Sequence, residues 1–156
     1  MKKLLLLLIC LPAVIIAQDS DYNIYYDQAE KAFDKDDYDA AVINYTKCIG
    51  LKPEVSSLYY MRAISYRYGL NFAENNNSYR DLELAILDLN KALFLEKKDL
   101  EDSHSHEDFT ELMSYINFEL GASHLLMDDI DSCPFFVLSC NQGNSQACDT
   151  AKDLCE

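Results

Sequence analysis

Apolar residues recur at spacings of three and four in two segments of this chain, and that periodicity restricts its fold more than any other feature. In residues 36–53 the apolar side chains stand at positions 38, 41, 42, 45, 48 and 49, which share one helix face. Aspartates before this segment can cap a helix, and Gly50 and Pro53 can end it. The pattern returns in residues 80–95, at Leu82, Ala85, Ile86, Leu89, Ala92 and Leu93. We therefore expect an all-α protein built from amphipathic helices.

An amphipathic helix is also predicted before each of these segments. Residues 22–34 precede the first and residues 58–72 the second, while residues 109–127 precede a third, weaker unit that starts near Asp131. Repeated helix pairs indicate an α-solenoid, in which each pair buries its apolar face against its neighbours. About seven antiparallel helices are expected after residue 17.

Residues 22–55 resemble a tetratricopeptide repeat (TPR), whose unit is about 34 residues long. Tyr25 and Tyr45 stand at the aromatic places of that repeat. Ala29 and Ala41 stand at the small places where the paired helices touch, and Pro53 at the closing proline. The resemblance implies a TPR-like solenoid and a protein-binding function.

Further copies follow at approximately residues 56–98 and 107–145, with a final helix over 145–155. The second copy has Lys97 in place of the closing proline, and it is about ten residues longer than an ideal repeat. We place the extra residues in two loops. One is expected around residues 71–79, where asparagine and serine favour turns, and the other between Glu96 and Asp108.

The first seventeen residues have the pattern of a cleaved signal peptide. A basic start at Lys2 and Lys3 is followed by an apolar run that ends in Ala17, before polar residues. The run is short for a membrane span and contains Pro12, so an uncleaved anchor is the weaker interpretation. A lipid on Cys10 is disfavoured because bulky Ile9 precedes it. We expect a secreted or periplasmic domain over residues 18–156, with no membrane span after cleavage.

The chain is strongly acidic. Its formal net charge is −14, and removal of the two leader lysines makes it −16. Such a surface repels nucleic acid and anionic lipid headgroups, so neither is expected as a partner. The charge favours basic partners without identifying one.

Four of the five cysteines left after cleavage lie near the C terminus, around a Gly143-Asn144 turn. This end resembles the closing unit of secreted TPR proteins of Bacteroidota and the cysteine-bearing hairpin of Sel1-like repeats. Cys133 and Cys155 each stand 11 positions from Asn144, and Cys140 and Cys148 each stand 4 positions from it. In an antiparallel helix hairpin both pairs therefore meet, and export favours their oxidation. We predict the disulfides Cys133–Cys155 and Cys140–Cys148, whereas the crossed pairing would require offset helices.

No cofactor, metal or catalytic group is expected. Cys48 is predicted to be a buried, unpaired thiol, and the Cys-x2-Cys spacing of structural zinc sites is absent. His104 and His106 could meet one ion, but a solvated acidic linker is the favoured interpretation. The sequence has no glycine-rich phosphate loop and no nucleophile elbow.

The resemblance implies a binding groove lined by the first helix of each repeat. Its expected lining is Tyr26, Glu30, Phe33, Tyr60, Ile64, Arg67, Tyr68 and Phe118. The alternative interpretation is that several of these residues lie in the core between adjacent repeats. TPR domains that clamp acidic C-terminal peptides have lysine and asparagine at four groove places, which here hold Tyr26, Glu30, Tyr60 and Ile64. An acidic C-terminal peptide is therefore not the expected ligand.

Two functions follow from these patterns. The leading hypothesis is an exported protein-interaction scaffold that is not an enzyme. The alternative is a cell-envelope glycan-binding or hydrolase-related protein, which the Sel1-like resemblance of the final hairpin implies. Binding to peptidoglycan fragments, compared with a heat-denatured control, would favour the alternative.

The signal-peptide pattern predicts cleavage between Ala17 and Gln18, because the apolar run ends in a small residue there. Mass spectrometry of the exported protein should find Gln18 at the N terminus. A mature chain that keeps Met1, or that carries a lipid on Cys10, would contradict this.

Overall fold

The computed structural model describes residues 19–70, 78–103, 110–128 and 132–155. Within these residues the chain forms seven helices and no strand, as the sequence predicts. The helices are α1 (19–33), α2 (Tyr38–Leu51), α3 (Ser56–Tyr68), α4 (Ser78–Ser103), α5 (Glu111–Met127), α6 (Cys133–Asn141) and α7 (Ser145–Cys155). Each of the helices α2 to α6 packs against the next in the chain, so the protein is a stack of helix hairpins.

Short polar residues begin several of the helices. The Asp37 carboxylate accepts a hydrogen bond from the Ala40 amide at the start of α2, at 3.2 Å. Asn144 does the same for the Ala147 amide at the start of α7, at 3.1 Å. Gly143 precedes it with a φ of 96°, a left-handed conformation that glycine adopts without strain. The predicted aspartate cap and the predicted Gly-Asn turn are thus both present.

Small buried residues bring the helices together. Ala29 of α1 and Ala41 of α2 share one apolar cluster with Tyr45, and all three are fully buried. A second cluster joins α3, α4 and α5 around Ala63, Ala85 and other residues of the predicted apolar faces. Cys48 is a buried free thiol in the first cluster, and burial raises its pKa.

Helix α4 differs from the expectation. The sequence predicted a helix over 80–95 and a loop after Glu96, but α4 continues to Ser103. Residues 96–103 contain neither glycine nor proline, and lysine and glutamate are good helix formers, so nothing local ends the helix. The preceding helix, α3, ends at Tyr68 rather than at residue 72.

The C-terminal hairpin contains both predicted disulfides. Cys133 is joined to Cys155 with their Cα atoms 5.7 Å apart, and Cys140 to Cys148 at 4.6 Å. These bridges matter for α7, whose buried residues are only Ala147 and Ala151. Each bridge is expected to stabilise the hairpin by about 2–3.5 kcal/mol, because it restricts the unfolded chain.

Three sequence predictions concern parts of the chain outside the described residues, and one of them is most of the loop expected around residues 71–79. The other two concern the leader over residues 1–17 and the pair His104 and His106. Among the residues that the structure does describe, no helix has the length and apolar character needed to cross a bilayer.

The close approach of Phe136 to Gly121 predicts a sharp effect of one methyl group. A Cβ atom at Gly121 would lie 2.9–3.0 Å from three ring atoms of Phe136, across the α5–α6 interface. Gly121→Ala should therefore destabilise the protein by about 1–3 kcal/mol in urea unfolding, since the core must shift to fit it.

Gly50 is the matched control, because an added Cβ there meets no atom within 4 Å. Gly50→Ala should be neutral or stabilising by up to about 1 kcal/mol, as alanine favours helix. Equal effects of the two substitutions would contradict the packing at Gly121.

Candidate binding face

The first three odd-numbered helices, α1, α3 and α5, lie side by side. The ring of Phe33 in α1 lies 6.2 Å from the ring of Tyr68 in α3, and Arg67 of α3 pairs with Glu119 of α5. The N-terminal part of α5 and residues 142–146, which comprise the α6–α7 turn and the first two residues of α7, line one cavity. We call the surface shared by α1, α3, α5 and the start of α7 the odd-helix face.

A buried ion pair lies at the centre of this face. Arg67 Nε is 2.5 Å from Glu119 Oε2, and the two side chains are only 15% and 8% exposed. The Arg67 guanidinium also lies 4.4 Å from the centre of the Tyr68 ring, a cation–π distance. Burial raises the pKa of the Glu119 carboxyl, and the charge of Arg67 opposes that rise. Arg67 therefore joins α3 to α5 and orients an exposed tyrosine.

Tyrosines surround the ion pair. Tyr60 is half-buried, and burial raises the pKa of its hydroxyl, with the nearby Glu119 carboxylate adding to the effect. Tyr115 also raises the pKa of this hydroxyl. Tyr115 itself is 45% exposed, and Tyr68 is 48% exposed. The face thus offers aromatic rings and hydroxyls on two adjacent helices, a combination that suits protein contacts.

The α1 part of the face is tied to α2. Tyr45, fully buried in α2, donates a hydrogen bond to the Glu30 carboxylate, and its ring meets Tyr26 edge-on at 6.4 Å. Burial and this hydrogen bond raise the pKa of the Tyr45 hydroxyl. Tyr26 remains partly exposed, whereas Glu30 is half-buried. The predicted lining residues of α1 are therefore fixed in place by the second helix of the same hairpin.

A polar cavity of about 310 Å³ extends the face toward α7. Its lining comprises Glu111, Ser114, Tyr115, Gln142, Gly143, Asn144, Ser145 and Gln146. Gln142 is held by the buried amide of Asn117, which donates to its Oε1 at 2.8 Å. Tyr115 donates to Glu111 Oε1 at 3.3 Å. The cavity therefore has a fixed polar wall and an exposed carboxylate at its edge.

Two predicted lining residues have other positions. Ile64 is only 8% exposed and packs among the core residues of α3, so it contributes little surface. Phe118 is half-buried, and its ring lies 5.7 Å from that of Phe136, at the α5–α6 contact. Arg67 is half-buried at the contact between α3 and α5, where it pairs with Glu119.

Sequence reasoning missed Glu119 and Tyr115. A signal for Glu119 was present, because it is the one acid between residues 112 and 127, inside a largely apolar helix. A carboxylate in such a position is buried only when it is paired. Its partner could not be read from spacing, since Arg67 lies in a different repeat.

Two other partly buried polar side chains, Arg62 and Glu96, connect successive helices. Arg62 donates to both carboxylate oxygens of Asp88 at 2.7 Å and to the Thr46 hydroxyl at 3.0 Å. Glu96 accepts hydrogen bonds from Ser56, at the start of α3, and from Thr110, the residue that caps α5. Among the described residues no three His, Cys, Asp or Glu side chains are close enough to hold a metal ion.

The fold is similar to that of the N-terminal domain of stress-induced protein-1 (STI-1) from C. elegans, with a TM-score of 0.65. The sequences are 17% identical, and the alignment covers 90% of this chain and 98% of the other. No protein-family model matches the sequence, and the comparison with curated proteins gives no match. The chain thus has an all-α helical-repeat fold like that of tetratricopeptide-repeat proteins.

The ion pair predicts an asymmetric response to mutation. Glu119→Gln should destabilise the protein by about 3 kcal/mol in urea unfolding, because it leaves the buried Arg67 charge without its partner. The double substitution Arg67→Met/Glu119→Leu should cost less than Glu119→Gln alone, since it removes both charges.

The exposed pair Asp27–Lys31 is the control, because its side chains are 64% and 66% exposed. Asp27→Asn should change the free energy of unfolding by no more than about 0.5 kcal/mol. A double variant less stable than Glu119→Gln would show that the buried charges do not interact as described.

Proposed function

We propose that this protein is an exported protein-interaction module that binds an extended segment of a partner protein on the odd-helix face. In this proposal it acts as a scaffold in the cell envelope or outside the cell, and it has no catalytic activity of its own. Residues 18–156 form the binding domain, and residues 1–17 direct export.

The observation that carries the binding proposal is the presence of an exposed tyrosine on each of three neighbouring helices. Tyr26 lies on α1, Tyr68 on α3 and Tyr115 on α5, and each ring is at least about one third exposed. Contacts within the protein hold these rings in place, so little side-chain entropy is lost when a partner binds. A row of fixed tyrosines suits an extended polypeptide, whose side chains can meet successive helices.

Export is supported by two independent features. The leader has the basic, apolar and small-residue order of a cleaved signal peptide. The two disulfides of the C-terminal hairpin are typical of an oxidising compartment. The resemblance to secreted TPR proteins of Bacteroidota agrees with both features and belongs to the same proposal.

Replacing two exposed tyrosines should remove binding without unfolding the protein. Tyr68→Ala/Tyr115→Ala should reduce the partner protein retained from an envelope extract at least about tenfold, because buried aromatic anchors dominate interface energies. Quantitative mass spectrometry of the retained proteins measures this, and thermal melting checks the fold.

The control variant, Leu87→Ala/Phe94→Ala, removes two apolar side chains of α4 that are 65% and 60% exposed. It should retain the partner like the unmodified protein. Loss of the same protein from both variants, or from neither, would refute binding on the odd-helix face.

A further inference from the structure

The odd-helix face has an unequal charge distribution. The described parts of α1, α3, α5 and α7 contain eight acids and four cations, histidine aside. The four cations are Lys31, Arg62, Arg67 and Lys152. The net charge of the face therefore depends on whether these four cations lie on it and whether they are paired with carboxylates.

Three of the cations pair with carboxylates of this chain, two of them in its interior and one at its surface. Arg67 pairs with Glu119 and Arg62 with Asp88, both in largely buried contacts, and Lys31 pairs with Asp27. The fourth, Lys152, lies on the other side of α7, where it lines a cavity together with Cys148 and Cys155. Within the described residues, the four cations therefore add little positive charge to the odd-helix face.

Several carboxylates remain on the face. Glu111 is exposed at the edge of the polar cavity between α5 and α7. Asp149 and Asp153 are exposed and follow the cavity residue Gln146 by three and seven positions, so helical periodicity places them on the same side of α7. This end of the face combines the Tyr115 ring with a short row of negative charges.

Tyrosine rings of this protein already accept cations. Lys52 lies 4.2 Å above the centre of the Tyr22 ring, and Arg67 lies 4.4 Å from the centre of the Tyr68 ring. Such contacts are favourable because the ring face is electron-rich. A partner with lysine or arginine side chains could therefore use both the tyrosines and the carboxylates, whereas an acidic partner would be repelled.

We propose that the odd-helix face selects a basic, extended polypeptide, with its cationic side chains placed at Glu111, Asp149 and the neighbouring Tyr115. This inference rests on the proposed binding function and adds the chemical class of the partner. The net charge of −14 would also speed the encounter with such a partner.

The test uses short fluorescein-labelled peptides that are identical except that their polar positions hold lysine, glutamine or glutamate. Fluorescence anisotropy should show the lysine peptide binding about tenfold more tightly than the glutamine peptide, and the glutamate peptide binding most weakly. Added salt should weaken the binding of the lysine peptide more than that of the other two, because it screens exposed charges.

Two charge variants separate this site from general attraction to an acidic protein. Glu111→Gln/Asp149→Asn removes two carboxylates from the face, and Glu83→Gln/Asp99→Asn removes two exposed ones from α4. Only the first variant should bind the lysine peptide more weakly than the unmodified protein does, by about fivefold or more. The melting temperatures of both variants show whether the fold is intact. Equal weakening by the two variants, or failure of the lysine peptide to bind, would overturn the inference.

The same peptides distinguish the two proposals. If the glutamine peptide binds as tightly as the lysine peptide, and Tyr68→Ala/Tyr115→Ala weakens both, the binding face stands and its preference for basic partners is refuted. If peptides bind but the tyrosine substitutions change none of their affinities, the proposed binding face fails together with the inference.

Discussion

Close approach of paired helices through small residues is the constraint on which this structure depends. Ala29 and Ala41 allow it in the first hairpin, Ala63 and Ala85 in the second, and Gly121 in the third, where the Phe136 ring occupies the space of a side chain. A single pair of helices cannot bury its apolar faces alone, so each hairpin must stack on its neighbours. Stacking in turn brings the odd-numbered helices together on one surface. The spacing of the proposed binding tyrosines is therefore set by alanines and a glycine in the core.

Polar groups determine how one hairpin fits the next. The Arg62–Asp88 pair, the Glu96 carboxylate and the ion pair on the odd-helix face all join helices that the apolar clusters also join. A largely buried charge is favourable only beside its partner, so each of these contacts disfavours shifted arrangements in which the partners separate. Apolar packing supplies most of the stabilisation, because it removes the larger area from water. The ion pairs help to fix the position of each helix relative to its neighbour. One of them also holds an exposed tyrosine in the proposed binding face.

The last helix depends on the oxidation of four cysteines. Helix α7 buries little apolar surface, and two disulfides join it to α6. Its first residues complete the polar cavity at the end of the odd-helix face. An oxidising environment therefore supports a wall of the proposed binding surface as well as the stability of the chain end. This dependence agrees with the signal-peptide pattern of the leader, although the two features arise from different parts of the sequence.

Local periodicity by itself determined the helix pairs, the buried alanines and the two disulfides, because side chains three, four or seven positions apart share a helix face and a Gly-Asn turn reverses the chain. The helix-forming residues after Glu96 favour the extension of α4, but the repeat length of the TPR family led us to expect a loop there. The Arg67–Glu119 pair, the burial of Ile64 and the contact of Phe118 with Phe136 required the tertiary structure. These contacts depend on the rotation and offset between helices, which arise from many weak contacts between residues distant in sequence. The sequence therefore determined which residues form helices and hairpins, whereas the stacking of those hairpins decided which side chains reach the surface.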